Sequence, residues 1–252
     1  MRVRALTLVG SFVAFACGSF GDAEGTTSTG NGAATGCPEP LPANTACWDF
    51  DEGDAPGLET ENASRSLDTS TSTSPGRSLL LTTQAIPPKE HAWARLVHPI
   101  AKAPKSITLD MRILIGNQPL TEIGEIEIEG PERSYFAVLL AEEGNLKLRD
   151  ASYIGLGGDV WLEHPLGSAS STWMHVVIRL DLPQTASEKR KLVVTIDGNA
   201  VYDDAAEELG FDKIAPTKAF ARAGITNIDT YGTAAGTERR MNIDDVIVTW
   251  TN

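Results

Sequence analysis

Apolar residues recur at every second position through much of this chain, and no long stretch carries a helical period. Ile107, Leu109, Met111, Ile113 and Ile115 alternate with Ser106, Thr108, Asp110, Arg112 and Leu114. Met174, Val176, Ile178 and Leu180 alternate with Trp173, His175, Val177 and Arg179, and Leu192, Val194 and Ile196 repeat the pattern. In an extended backbone successive side chains point to opposite faces, so each run has one apolar face that must be covered. About a dozen such runs predict an all-β fold, two antiparallel sheets packed as a sandwich.

Turn chemistry supports this reading. Asp197-Gly198-Asn199 returns the chain from the 192–196 run into Val201 and Tyr202, and Glu142-Glu143-Gly144-Asn145 turns a second hairpin between Tyr135 and Leu148. Further strands are expected near residues 47–50, 78–83, 92–98, 122–129, 159–163, 220–228 and 241–250. One short helix is expected from Asp203 to Leu209. The stretch Asp54 to Arg77, rich in Ser, Thr and Asp, reads as a long surface loop.

The first 36 residues stand apart from this pattern. Arg2 and Arg4 lead into uncharged residues from Ala5 to Ala16, and the run stops at Cys17. Such a helix would span about 18 Å, short of a hydrocarbon core of roughly 30 Å, so residues 1–16 read as a signal peptide. Ala14-Phe15-Ala16-Cys17 resembles the lipobox of bacterial lipoproteins, which implies a lipidated Cys17; Ala14-x-Ala16 also suits an ordinary signal peptidase. Residues 18–36, almost entirely Gly, Ser, Thr and Ala, cannot bury enough apolar surface to offset ordering and read as a flexible linker. The expected layout is thus an exported chain held at a bacterial membrane only through lipid, with one domain over residues 37–252.

Removing Arg2 and Arg4 takes the formal charge from −13 to −15, which repels nucleic-acid phosphate and excludes it as a partner. With Cys17 lipidated, Cys37 and Cys47 remain as a pair, expected to form a disulfide in an oxidising compartment. His91, His98, His164 and His175 show no ligand spacing that would complete a zinc site with them.

Cys47-Trp-Asp-Phe-Asp51, the strand from Trp173 to Leu180, Val194-Thr-Ile-Asp-Gly198 and Asn242-Ile-Asp-Asp-Val-Ile-Val248 together resemble the concanavalin A-like jelly rolls. That group includes laminin G-like domains, carbohydrate-binding modules and laminarinase-type glycoside hydrolases. The resemblance covers roughly residues 46–250 and implies a jelly-roll sandwich with a glycan as the leading ligand.

Gly124-Glu125-Ile126-Glu127-Ile128-Glu129 is the one candidate catalytic motif. In a strand the three glutamates share a face while Ile126 and Ile128 point the other way, and clustered carboxylates raise one another's pKa. By the resemblance Glu125 would be nucleophile and Glu129 acid/base. The chain departs from the family's Glu-x-Asp-x-Glu at Glu127, and Arg112 to Gly124 lacks the aromatic segment that lines the family's cleft. The alternative is a solvated strand face. No Gly-x-Ser-x-Gly is present. Stacking on sugar rings needs exposed aromatics, and Trp161 with Tyr153 beside it is the candidate platform, whereas Trp48, Trp173 and Trp250 are expected in the core. The resemblance also implies a Ca²⁺ where the first and last strands meet, with Asp244 as ligand and Asp49 and Asp51 nearby. The expected function is glycan binding without catalysis by an exported lipoprotein. A hydrolase with an altered strand, or a structural or adhesive module with a protein partner, are the alternatives.

Overall fold

The computed structural model describes residues 37–51, 55–73, 76–87, 90–100, 104–130, 134–153, 160–185, 188–204, 217–229 and 237–252. The signal peptide, Cys17 and the linker lie outside the described residues. Those residues form two antiparallel sheets and no helix, as the period-two pattern requires.

Strands are numbered along the chain. One sheet runs in the order β13 (Asn199–Asp204), β12 (Lys191–Ile196), β11 (Met174–Asp181), β6 (Ser106–Ile115), β15 (Arg239–Thr251), β4 (Ser78–Thr83) and β3 (Ala63–Asp68). β1 (Thr45–Trp48) joins it as an eighth strand beside β15. The other sheet, of seven strands, runs β10 (Val160–Ser168), β9 (Asn145–Tyr153), β8 (Ser134–Glu142), β7 (Thr121–Glu129), β14 (Lys218–Asp229), β5 (His91–Ile100) and β2 (Leu58–Glu61).

The alternating faces close on each other. Ile107, Leu109, Met111 and Ile113 of β6, and Val176, Ile178 and Leu180 of β11, are fully buried with Ile126 and Ile128 of β7. Both expected hairpins form. Positive φ at Glu143 and Gly144 (49° and 78°) and at Asp197 and Gly198 (50° and 77°) gives the mirror-image turn whose twist matches paired strands. Cys37 and Cys47 are bridged, with Cα atoms 5.6 Å apart. Arg190 and Asp150 form an ion pair inside the sandwich, the guanidinium 4.9 Å over the Tyr135 ring.

Three expectations need correction. Residues 54–77 are not one loop, because β2 and β3 lie within them. Both are edge strands, held by backbone pairing to β5 and β4, so they need no strong apolar face and left no pattern to read. The chain passes from one edge to the other through Asn62, which adopts a left-handed φ of 48°. The helix expected from Asp203 does not begin there: Asp203 and Asp204 belong to β13, and residues 205–210 lie outside the described residues. Trp48 is buried, but Trp173 and Trp250 are only half-buried. Trp48 and Trp250 instead flank His98, whose ring centroid lies 6.0 and 4.9 Å from theirs.

Candidate functional site

β7 organises the site. Ile126 and Ile128 face the core, so Glu125, Glu127 and Glu129 face outward together, as alternation predicts. A register shift against β8 sits between Glu122 and Gly124. The bulged residue, Ile123, changes the parity of the strand and turns Glu122 to the same face as Glu125. The bulge also presses the backbone onto the opposite sheet: a Cβ on Gly124 would lie 2.5 Å from Met111 Cε, so no larger residue fits without repacking.

The neighbouring strands complete the face. β14 places Arg222 opposite Glu125, Phe220 opposite Glu127 and Lys218 opposite Glu129. Arg222 is clamped by both acids: Nη1 donates to Glu125 Oε1, and Nη2 lies 2.5 Å from Glu127 Oε2. The three side chains are 13%, 8% and 11% exposed, so this is a nearly desolvated ion triad and not the solvated face offered as the alternative. Burial pushes the Glu125 carboxyl above its ordinary range, and Glu127 adds to that while Arg222 opposes it. For Arg222 burial acts downward, but the two glutamates outweigh it and hold the guanidinium more firmly protonated.

Above the triad lies a depression of about 420 Å³, lined among others by Arg95, Glu122, Ser134, Phe136, Arg149 and Asn227. Arg149 bridges two strands, with Nη1 3.1 Å from Glu122 Oε1 and Nη2 2.9 Å from Glu163 Oε1. Arg95 pairs with Glu59 at 3.3 Å, donates to the Thr226 carbonyl at 2.9 Å, and lies 5.0 Å over the Trp93 ring.

One cross-strand row carries the aromatic rings. Trp161 of β10 pairs with Ala151, Ala151 with Phe136, Phe136 with Glu127, and Glu127 with Phe220. Directly paired residues share a face, so Trp161, Phe136 and Phe220 follow one line at intervals of two strands, about 10 Å each. Trp161 is 55% exposed. Tyr153 pairs with Ser134, and Ser134 with Glu129, so its backbone position is in the adjacent row; its side chain lies outside the described residues. The structure therefore brings the two sequence candidates, the Glu125 strand and Trp161, onto one sheet face. Arg95, Arg149, Arg222, Glu122, Phe136 and Phe220 were not foreseen. An isolated Arg at an outward position of an apolar strand was the available signal.

The carboxylates proposed for Ca²⁺ do not converge. Asp244 is fully buried at a bulge in β15, its Oδ2 accepting from Thr73 N and Oγ1 at 2.9 Å each and its Oδ1 from Asp245 N at 3.0 Å. Asp49 accepts from the amides of Cys37 and Asp51, and Asp51 from the amide of Arg77. Among the described residues no three acidic, His or Cys side chains are placed to share an ion, so this donor set does not fit calcium.

No family model matches the sequence, and no curated protein matches it. Solved structures do match the fold. An endo-beta-1,4-glucuronan lyase from the fungus Trichoderma reesei superposes with a TM-score of 0.65 at 15% identity, covering 82% of this chain and 95% of that one. An alginate lyase in complex with alginate tetrasaccharide gives 0.51 at 11%, covering 82% and 96%. Cellulose induced protein, Cip1, gives 0.51 at 12%, covering 81% and 96%. At such identities the likeness shows the fold alone, a β-sandwich jelly roll, and it does not single out the concanavalin A-like domains.

Proposed function

We propose that this domain binds a glycan along the outer face of the seven-stranded sheet, without cleaving it. The observation that carries the reading is the line of Trp161, Phe136 and Phe220 beside a depression floored by paired Arg and Glu. Sugar rings stack their C–H faces on flat apolar surfaces while polar neighbours bond the hydroxyls, and this face offers both within one strip. The polysaccharide-acting names among the fold's relatives are in keeping with it.

Hydrolysis is the weaker reading, because Glu125 commits an oxygen to Arg222 and Glu129 one to Lys218. A retaining mechanism needs one carboxylate free to attack and a second carboxyl free to donate a proton. The rest of the proposal concerns place. Residues 1–16 direct export, Cys17 carries lipid, and residues 18–36 hold the sandwich away from the membrane. The Cys37–Cys47 bridge supports an oxidising compartment.

The test is binding to a panel of insoluble and soluble polysaccharides, with product release followed in parallel. Retention that Trp161→Ala weakens at least about tenfold, with no new reducing ends or unsaturated sugars, is the expected result. Turnover abolished by Glu125→Gln would make the protein an enzyme. Binding to no glycan would leave an adhesive module with a protein partner.

A further inference from the structure

Resting on the glycan reading above, we infer that this face takes uncharged polysaccharides and rejects polyuronates such as glucuronan and alginate. The argument is one of charge already spent. To hold a uronate carboxylate a site needs a guanidinium or ammonium free to form charge-assisted hydrogen bonds with it.

Among the described residues, each of the three guanidiniums at the depression already has a protein carboxylate. Arg222 holds Glu125 and Glu127, Arg149 holds Glu122 and Glu163, and Arg95 holds Glu59. Five carboxylates thus face three guanidiniums. The two described lysines on the same face are occupied as well, Lys147 with Glu142 at 2.6 Å and Lys218 with Glu129 at 3.4 Å. An incoming uronate would have to displace one of these acids and sit beside the excess negative charge. Like charges brought together at a partly desolvated surface are strongly disfavoured. A neutral sugar meets no such obstacle. Its hydroxyls donate to carboxylate oxygens and accept from guanidinium N–H groups, and the ion pairs stay intact.

Arg149 is where this selectivity is set. Its two partners come from different strands and are only partly buried, with Glu122 20% and Glu163 35% exposed. Removing both charges frees one guanidinium beside Trp161 without opening the core.

The experiment compares neutral β-glucans with alginate and glucuronan on the intact exported domain, at low and high salt. Wild type should retain neutral glycan and bind the polyuronates at least about tenfold more weakly. The double variant Glu122→Gln/Glu163→Gln should gain roughly tenfold in polyuronate affinity, in a salt-sensitive way. Adding Arg149→Gln should erase the gain. Wild-type binding to polyuronates equal to or tighter than to neutral glycans overturns the inference while leaving the glycan site standing. So does a folded double variant that gains nothing. Binding to neither class sinks the glycan reading and this inference with it.

Discussion

Replacing Arg222 with Met keeps most of the volume and removes the partner that Glu125 and Glu127 share. Those side chains are 8% and 11% exposed, so two carboxylates are left in a poorly hydrated place, with the more weakly acting Arg95 still opposing the charge on Glu125. Breaking a buried pair from one side costs about 3–5 kcal/mol. The depression is open to water, which sets the expected loss near the lower end, about 3 kcal/mol. For a domain of this size that lowers Tm by roughly 6–12 °C. The loss should depend on pH with a defined sign. Burial already holds the Glu125 carboxyl above its ordinary range, against the pull of Arg222. A carboxyl with a raised folded value binds its proton more tightly when folded than when unfolded. Its contribution is therefore full below the ordinary value of 4.5 and is lost as pH rises through the raised one. Without Arg222 the opposing pull is gone, so the window stretches upward and the gap to wild type widens from weakly acid to neutral pH. Urea and thermal melts across that range measure it, with Arg222→Met/Glu125→Gln/Glu127→Gln expected to recover most of the loss. An Arg222→Met protein within about 1 kcal/mol of wild type and indifferent to pH would show that the triad is solvated, and the reasoning would fail.

Other consequences are as direct. Intact mass of the mature protein should show acyl additions on Cys17, and Cys17→Ser should release it to the soluble fraction; a free Cys17 on soluble wild type refutes anchoring. Peptide mapping without reductant should recover Cys37 linked to Cys47, and reduction should cost only about 2 kcal/mol, since the closed loop is short. Gly224→Ala should destabilise by about 1–3 kcal/mol in urea melts, because φ is +107° and the new Cβ would lie 2.7 Å from the Ala94 carbonyl oxygen. A neutral result there would mean the bulge in β14 relaxes freely. Chelators should leave Tm unchanged, in line with the scattered Asp49, Asp51 and Asp244.

Alternation alone told which way Glu125, Glu127 and Glu129 face, since Ile126 and Ile128 can satisfy the core from only one side of the strand. The same local rule located most strands and both mirror-image turns, because pleat and turn chemistry act over a few residues. It gives no sign that Glu122, three residues before Glu125, shares that face, because a bulge alters parity and only the register against β8 reveals it. It missed β2 and β3, edge strands stabilised by backbone pairing that leaves little trace in side-chain pattern. Above all it could not foresee what the glutamates meet. Arg222 reaches Glu125 from 97 residues away, and Arg190 reaches Asp150 from 40. The sequence by itself determined an exposed row of acids on an all-β sandwich. Tertiary pairing decided that Glu125 and Glu127 are desolvated and share Arg222, since charge compensation is a property of which strands become neighbours.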